Sequence, residues 1–413
     1  MKKEVEKLLQ YVQKPARYIG GELNAVVKDK DKIDIRYAFC FPDTYEIGMS
    51  HLGMKILYGL VNDREDSWCE RVFAPDNDME EQLRKNNVPL FALESGDYIK
   101  DFDMIGFTLQ YELSYTNVLN MLNLAQIPLK SSDRKNLTPL ICVGGPCACN
   151  PEPITDFVDI VFLGDGEETT NQVIDLLIDC KKKGLSKKEF LLKAKDITGI
   201  YVPSFYEDSY NEDGTLKELK PLYGAPEKVK KAVVSDMNKV FYPKEFVVPY
   251  INIVHDRAVE EIFRGCIRGC RFCQAGFIYR PIREKSVETI NKQSKALIDS
   301  TGYDELSLCS LSTSDHSEVN NMLTTLIDWT VKENINLSLP SLRVDNFSGE
   351  LVEQLNKVRR SGLTFAPEAG TQRLRDVINK NVTQEEVIRT CTKAFDNGWT
   401  SVKLYFMMGL PTE

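Results

Sequence analysis

The sequence predicts an α/β protein with two successive parallel-sheet domains, of which the second is an incomplete parallel barrel. Two series of short apolar strands alternate with helices, and a stretch rich in Lys, Pro and Tyr separates them. Buried strands that alternate with helices are typical of parallel sheets covered on both faces. The length of 413 residues is sufficient for two or three domains of ordinary size.

The first series follows an N-terminal helical lead-in, residues 1–30, and occupies residues 31–182. Apolar runs of strand length predict its strands, and apolar residues at three- and four-residue spacing predict its helices. The predicted strands are 33–40, 68–74, 89–94, 104–109, 140–145 and 158–164, and the predicted helices are 51–61, 116–126 and 167–180. In such a sheet a ligand is expected at the carboxyl ends of the strands.

Residues 183–255 form a predicted connector, in which Asn211-Glu-Asp-Gly214 indicates a hairpin and hence a small β element. The second series, residues 256–413, has predicted strands at 258–266, 305–312, 335–344, 362–368 and 401–409, with helices at 286–299 and 321–333. Five strand–helix starts favour a parallel barrel with its site at the strand carboxyl ends. Because a closed barrel needs more strands, we expect this one to be truncated at Glu413.

The composition argues against a protein that mainly coats nucleic acid or an anionic membrane. Lys and Arg number 52 and Asp and Glu number 61, a formal net charge of −9. The apolar runs all fall short of the roughly 20 residues of a membrane span. The N-terminus has scattered charges and lacks the apolar core of a signal peptide, so a cytoplasmic location is expected.

Three of the eleven cysteines form a separate group, Cys266, Cys270 and Cys273, directly after the first predicted barrel strand. Three thiolates at this spacing can share one soft metal centre. A structural zinc site would want a fourth ligand, and a [4Fe–4S] cluster usually takes four cysteines. With three, one iron is open to a substrate or cofactor. Six basic residues between 264 and 285, against one acid, would balance such an anionic site.

The pattern C-x3-C-x-aromatic-C, with Phe272 as the aromatic residue, resembles the signature of the radical S-adenosylmethionine (SAM) enzymes. The resemblance implies that Cys266, Cys270 and Cys273 hold a [4Fe–4S] cluster whose open iron binds SAM. It also implies reductive cleavage of SAM to a 5′-deoxyadenosyl radical that starts chemistry on the substrate. The cofactor would then supply the reactivity, and the protein would supply position and a dry interior.

The same resemblance assigns candidate SAM contacts to Phe272 and to later strand ends of the barrel. Ser310 and Ser312 stand where the family often has a Gly-Gly-Glu segment, so hydroxyls would replace it. Arg343 after the third strand is a candidate for the SAM carboxylate. Glu368 lies in a Pro-Glu-Ala-Gly segment similar to one found in several subfamilies. Gly409, after the fifth strand, would allow close approach to the adenine.

Residues 31–182 resemble the cobalamin (B12)-binding domain that precedes the barrel in one branch of the family. The corrinoid loop of that domain, Asp-x-His-x-x-Gly, corresponds here to Asp43, Tyr45 and Gly48, so Tyr replaces the axial His. His51 has the wrong spacing and is predicted to begin a helix. A bound cobalamin would therefore lack a protein His ligand. The other candidate cobalamin contacts are Thr108, Gly144, Gly145, Gly164 and Gly166.

The resemblance thus implies a flavodoxin-like or Rossmann-like parallel sheet domain followed by an incomplete TIM-like (βα)6 radical SAM barrel. It implies SAM and an external one-electron reductant of the flavodoxin or ferredoxin type as partners, with cobalamin and methyl or related group transfer as an extension. The sequence does not predict the substrate or the residues that act on it. Nucleic acid is among the substrate classes that stay open. The alternatives are a non-catalytic iron–sulfur or zinc binding module, and a corrinoid carrier or sensor.

Overall fold

The computed structural model describes residues 2–339 and 363–413, and these form two compact units. The first unit contains Met1–Val234 and Phe241–Asp256, and the second contains Ser235–Val240 and Arg257–Glu413. Within the described ranges, no helix is long and apolar enough to cross a membrane.

The first unit is built on a six-stranded sheet with the order β2-β1-β3-β4-β5-β6. The first five strands pair in parallel, and the last pairs antiparallel to β5. The order 2-1-3-4-5 is that of flavodoxin-like sheets, whose ligand crevice lies outside the carboxyl ends of β1 and β3. The strands are β1 (Ile35–Phe41), β2 (Ser67–Phe73), β3 (Met104–Thr108), β4 (Leu140–Gly144), β5 (Ile160–Phe162) and β6 (Ile200–Tyr201).

Helices cover both faces of this sheet, and their ends follow ordinary capping chemistry. Helix α6 begins with Glu167 and Glu168 and ends with three lysines, an arrangement that complements the helix dipole. In α7, Ser186 and Glu189 form a reciprocal capping box. The helices are α1 (Lys3–Leu8), α2 (Tyr45–Gly48), α3 (Leu52–Asn62), α4 (Asn77–Asn86), α5 (Tyr115–Leu124), α6 (Glu167–Lys183) and α7 (Lys187–Ala194).

Two local predictions for this unit are wrong. The predicted strand 89–94 is irregular, although Leu90, Phe91 and Ala92 are buried. Its amides bond to scattered acceptors instead of a ladder: the Leu90 amide donates to the Leu124 carbonyl and the Leu93 amide to the Arg71 carbonyl. Of the helical lead-in, only α1 is α-helical, and the remainder runs in turns and short 3-10 segments.

A buried network ties the lead-in to β2 and to the 89–94 segment. The Arg71 guanidinium lies 2.7 Å from a Glu22 carboxylate oxygen and 2.6 Å from one of Glu94, and all three side chains are at most 2% exposed. The Tyr45 hydroxyl donates to Glu22 at 2.9 Å. Burial alone would raise the pKa of Glu22, but Arg71 beside it lowers that pKa below its usual value. Three segments that are distant in sequence therefore depend on one cation.

The predicted hairpin is present, with β7 (Tyr206–Tyr210) antiparallel to β8 (Leu216–Pro221) and the turn at Asn211–Gly214. Most of the rest of the connector belongs to the first unit, whereas Ser235–Val240 belongs to the second. Leu23 and Val248 form an antiparallel bridge, and Gly164 forms a parallel bridge with Ala232.

The second unit has the strand and helix order expected of a partial barrel. Strands β13, β12 and β9 form one parallel sheet, and β14 and β15 form a parallel pair. Its strands are β9 (Ala258–Glu261), β10 (Phe263–Arg264), β11 (Arg283–Glu284), β12 (Glu305–Cys309), β13 (Asn336–Ser338), β14 (Leu363–Glu368) and β15 (Val402–Phe406). Its helices are α8 (Ala275–Ile278), α9 (Val287–Thr301), α10 (Val319–Thr330), α11 (Gln372–Val377) and α12 (Gln384–Asp396).

Candidate functional site

The three clustered cysteines lie on a loop, residues 264–283, that leaves the sheet after β9 and returns to it before α9. A short antiparallel ladder, Phe263 with Glu284 and Arg264 with Arg283, closes the loop at its base. Gly265 has φ +93°, and a Cβ there would lie 2.6 Å from the Pro281 carbonyl oxygen. Only glycine fits this turn, which delivers the chain to Cys266.

The thiols of Cys266, Cys270 and Cys273 are free and partly exposed. The Arg268 amide donates to the Cys266 sulfur at 3.4 Å, and the Cys273 amide donates to the Cys270 carbonyl at 3.1 Å. In residues 2–339 and 363–413, no group of three His, Cys, Asp or Glu side chains is already arranged to hold a metal ion. The donor set nevertheless fits an iron–sulfur cluster, since it offers three accessible soft ligands on one short loop.

Contacts from the segment after β12 and from the end of α11 hold the middle of the cysteine loop. The Arg268 guanidinium makes a two-point pair with Asp315, at 2.6 and 3.2 Å, just beyond β12. The Arg271 amide donates to the Ile378 carbonyl at 2.9 Å, and the Asn379 side chain donates to the Gly269 carbonyl at 2.8 Å. The loop is therefore fastened to two other segments of the second unit.

Much of the local basic excess is used within the unit. Arg264 pairs with Glu261, Arg268 with Asp315 and Lys285 with Glu260. These cations therefore help to position the loop through ion pairs with carboxylates.

Glu368 and Phe272, two of the predicted SAM residues, lie near one lysine. Lys380 places its Nζ 3.2 Å from a Glu368 carboxylate oxygen and 6.0 Å from the centre of the Phe272 ring. Glu368 ends β14 in a left-handed conformation, φ +67°, beside a bulge in its pairing with β15. Such strain in a non-glycine residue is often found at ligand sites. Sequence inspection missed Lys380, which lies beyond α11 outside any local motif.

The remaining predicted SAM residues are distributed over other strand ends. The Ser310 hydroxyl lies 3.2 Å from that of Thr313. Ser312 is 3% exposed, and its buried hydroxyl has no hydrogen-bond partner among the described residues. Gly409 has φ +76° with open space around its Cα, close to where the Met407 amide donates to the Glu368 carbonyl at 2.8 Å. Arg343 lies outside the described residues.

In the first unit, side chains meet at the carboxyl ends of β1 and β3, the position of the ligand crevice in this topology. The Tyr111 hydroxyl donates to the Asp43 carboxylate. This hydrogen bond raises the pKa of Tyr111 to about 12. The Gln110 amide group donates to the Thr108 hydroxyl at 2.5 Å. Thr108 and Asp43, both predicted candidates, thus belong to one polar edge, which Gln110 and Tyr111 complete.

Tyr45 and Gly48 are engaged in packing within the unit. Tyr45 is 2% exposed, and its hydroxyl donates to Glu22. Burial raises the pKa of that hydroxyl well above its usual value, and the Glu22 carboxylate adds to the shift. A Cβ on Gly48 would lie 2.3 Å from the Phe73 ring. Both residues therefore contribute to the packing of the segment that follows β1.

The other glycines have different surroundings. Gly164, φ +97°, packs against the backbone of Ala232, where a Cβ would approach the carbonyl oxygen to 2.1 Å. Gly145 packs against the backbone of Leu109, and a Cβ on Gly144 would lie 3.3 Å from Phe162. Gly166 precedes α6 and leaves ordinary space beside Leu57. The backbone that closely approaches Gly164 is therefore that of Ala232, in the connector.

His51 is the N-cap of α3, as its position predicts. Its Nδ1 accepts the Met54 amide at 3.1 Å, which places the proton of the neutral ring on Nε2. Burial lowers the pKa of His51 to about 4, although a hydrogen bond with Gln110 acts in the opposite direction. The lone pair of the neutral ring, on Nδ1, is therefore engaged by an amide of the first turn of α3.

Acidification from pH 7 to pH 4 is expected to weaken the first unit through His51. The unfolded chain protonates this ring near the usual value of about 6.5, whereas the folded chain does so only near pH 4. The stability is therefore complete above pH 6.5 and falls as the pH decreases, by up to about 3 kcal/mol. Urea denaturation followed by circular dichroism measures it.

The variant His51→Asn provides the control, because Asn caps helices without titrating. The difference in unfolding free energy between pH 7 and pH 4 should be smaller in this variant than in the wild type. Equal pH dependence in the two proteins would contradict the assignment.

Comparisons with known proteins agree with the fold and the cysteine loop. Residues 53–203 match the family described as "Radical SAM proteins, N-terminal", and residues 261–413 match the "Radical SAM superfamily". An uncharacterized protein of Methanocaldococcus jannaschii, MJ0966, is 28% identical over 386 residues, which cover 91% of this chain and 70% of that protein.

Two solved structures share the fold. The radical SAM methyltransferase TsrM from Kitasatospora setae, with cobalamin and a [4Fe–4S] cluster bound, has a TM-score of 0.63 at 10% identity, covering 92% of this chain and 70% of that one. The cobalamin-dependent radical SAM enzyme OxsB, with aqua-cobalamin and SAM bound, has a TM-score of 0.58 at 15% identity, covering 90% of this chain and 49% of that one.

The predicted fold class is thereby confirmed, as is the family resemblance. Membership of this superfamily implies a [4Fe–4S] cluster and SAM. The chain spans about half of OxsB and 70% of TsrM. The two family matches and the cysteine loop show that the chain is a radical SAM protein, and its flavodoxin-like N-terminal region shares the fold of the cobalamin-bound structures of TsrM and OxsB.

Proposed function

We propose that this protein is a radical SAM enzyme in which Cys266, Cys270 and Cys273 ligate the [4Fe–4S] cluster. The observation that carries the proposal is the loop itself, with three accessible thiols beyond the first strand of the second unit. The cluster, when bound, supplies the electron that cleaves SAM. The chain's own contribution is to hold the three thiols close together and to orient SAM beside them.

Glu368 and Lys380 are the residues that we assign to the amino-acid part of SAM. A carboxylate and an ammonium group 3.2 Å apart offer complementary charges to a ligand that carries both an amino and a carboxylate group. Phe272 is within reach of the same lysine and lies between two of the cysteines. Ser312 adds a buried hydroxyl that lacks a partner in the described chain.

Removing the charge of Lys380 is expected to weaken SAM binding. In Lys380→Met the dissociation constant for SAM should rise roughly 10- to 100-fold, since hydrogen bonds to charged groups contribute about 1.5–3 kcal/mol. Isothermal titration under anaerobic conditions measures the change. Lys403→Met, at an exposed position of β15, is the control and should bind SAM normally. Equal affinity in both variants would remove Lys380 from the site.

We propose further that the first unit binds a corrinoid at the edge formed by Asp43, Thr108, Gln110 and Tyr111. This edge lies at the crevice of a flavodoxin-like sheet, and TsrM and OxsB, both described with cobalamin bound, share the fold. Tyr45 and His51 both have their polar atoms engaged inside the unit. The corrinoid would therefore be held without an axial ligand from either residue.

The reaction that fits both units is transfer of a methyl or related group from a corrinoid, with SAM as a source of the group or of the radical. TsrM, which shares the fold, is described as a methyltransferase. An external one-electron donor of the flavodoxin or ferredoxin type would reduce the cluster. The class of substrate stays open.

Formation of 5′-deoxyadenosine tests the first proposal. The anaerobically reconstituted protein, given SAM and dithionite, should release 5′-deoxyadenosine, measured by liquid chromatography. An intact cluster with bound SAM and no 5′-deoxyadenosine would contradict it. Retention of zinc with no cluster assembly would favour a metal-binding module instead.

Equilibrium dialysis tests the corrinoid proposal. Hydroxocobalamin should bind at about one per chain, and Asp43→Leu should weaken binding, whereas Asp299→Leu on α9 should not. Electron paramagnetic resonance of the bound Co(II) form should show no histidine nitrogen coupling after uniform 15N labelling of the protein. Absence of binding would reject a corrinoid role.

A further inference from the structure

A fully buried ion pair joins the two ends of the cysteine loop. Glu260 is the third residue of β9, four residues before the loop, and Lys285 directly follows β11, two residues after the loop. The Lys285 Nζ lies 2.7 Å from a Glu260 carboxylate oxygen, and both side chains are 0% exposed. Taking two charges fully out of water is expensive, and a pair of aliphatic residues would often serve stability as well. The presence of a buried ion pair at the base of the cysteine loop therefore needs an explanation other than stability.

The contacts of Lys285 fix it from three directions. Its Nζ also donates to the Gln293 side chain on α9 at 2.7 Å. Its amide donates to the Ile262 carbonyl at 3.0 Å, and its own carbonyl accepts the Nε2–H of His316 at 3.1 Å. The Nδ1 of His316 accepts the Glu318 amide, which sets that tautomer. Lys285, which follows the loop, is therefore hydrogen-bonded to β9 and the residue after it, to α9 and to the segment after β12.

Among the described residues, the carboxylate of Glu260 has Lys285 as its hydrogen-bonding partner. One of its carboxylate oxygens accepts from Lys285, and the other is buried with no hydrogen-bond partner among the described residues. Burial raises the pKa of Glu260 above its usual value, whereas Lys285 acts in the opposite direction. Loss of Lys285 would thus leave the carboxyl group protonated and without its main contact.

The loop between these ends has contacts that depend on register. Arg268 pairs with Asp315, just after β12, and the Arg271 amide donates to the Ile378 carbonyl at the end of α11. Both contacts form only if the chain leaves β9 and returns at β11 at fixed positions along the strands. Because the hydrogen bonds of a charged pair are directional, the pair fixes these two positions more precisely than apolar contacts would.

We propose that Glu260 and Lys285 are positioning residues for the cluster-binding loop, and that their pair sets the register at which Cys266, Cys270 and Cys273 are presented. This inference rests on the proposed ligation by those cysteines. It assigns to a buried pair outside the cysteine loop control over how well the loop keeps its conformation and how firmly it retains iron.

Hydrogen exchange in the metal-free protein tests the first half of the inference. In Lys285→Met, amides of residues 264–283, including those of Arg271 and Cys273, should exchange roughly tenfold faster, while peptides of the first unit are unchanged. Asp159→Asn is the matched control, because it breaks a buried ion pair with Arg134 in the first unit. Unchanged exchange in Lys285→Met, or an equal effect in the control, would overturn the proposal.

Iron release tests the second half. The reconstituted Lys285→Met and Glu260→Gln proteins should lose iron to a chelator at least about tenfold faster than the wild type, as expected when a supporting shell is removed. Wild-type rates in both variants would overturn it. If Lys285→Met fails to fold, Glu260→Leu/Lys285→Met replaces it, since that double variant leaves no unpaired buried charge. A wild type that assembles no cluster would contradict the proposed ligation, whereas the exchange result would still stand.

Discussion

Alanine at Cys266, Cys270 or Cys273 is expected to abolish both cluster assembly and cleavage of SAM. The three thiols are the only soft ligands on residues 264–283, and a cluster that has lost one of three protein ligands has no replacement on that loop. Iron after anaerobic reconstitution should fall from about four atoms per chain to less than about one. Iron and sulfide analysis measures the loss, and chromatography measures 5′-deoxyadenosine.

Cys391→Ala is the matched control. Cys391 is also free and partly exposed, but it lies on α12, outside the cysteine loop. This variant should keep the iron content and the product yield of the wild type. Equal iron content in Cys270→Ala and Cys391→Ala would refute ligation by the loop.

The largest effect on stability is expected in the first unit, from Arg71→Met. The change removes the cation that pairs with both Glu22 and Glu94 and leaves two carboxyl groups buried without it. Breaking a buried pair from one side typically costs about 3–5 kcal/mol, a large part of the roughly 5–15 kcal/mol that stabilises an ordinary domain. The first unit should therefore melt at a much lower temperature and be digested faster by proteases, as calorimetry and limited proteolysis measure.

Lys183→Met serves as the comparison. Lys183 pairs with Asp179 at 2.7 Å across one turn of α6, and its side chain is 59% exposed. An exposed pair of this kind contributes little to stability, so the melting temperature should hardly change. A similar small effect of Arg71→Met would show that the buried network carries little of the stability.

The sequence was sufficient to predict those elements that local pattern determines. Apolar runs located β1, β3, β4, β5 and β12, and a turn-forming Asn-Glu-Asp-Gly located the hairpin. The spacing of the three cysteines indicated the family. In each case the signal lies within a few consecutive residues, where side-chain period and turn chemistry act directly.

The elements that were missed depend on contacts between residues distant in sequence. Residues 89–94 have the apolar character of a strand, yet Glu94 turns inward to Arg71 and no ladder forms. Strand β6 has only two residues, too short to show a period. Lys380 reaches Glu368 from beyond a helix, so its role depends on the chain path between them.

The division of the chain between the two units has a practical consequence for dissecting the protein. The chain passes from the first unit to the second at residue 235, returns at 241 and leaves again after 256. A fragment that ends at residue 234 would lose the Phe246 carbonyl that accepts from Asn24 and the strand bridge to Leu23. A fragment that begins at 257 would lose Asn238, which accepts the amide of Ser286 at the start of α9. No single cut therefore yields two intact halves, and each half studied separately needs a short piece of chain from the other side of the cut.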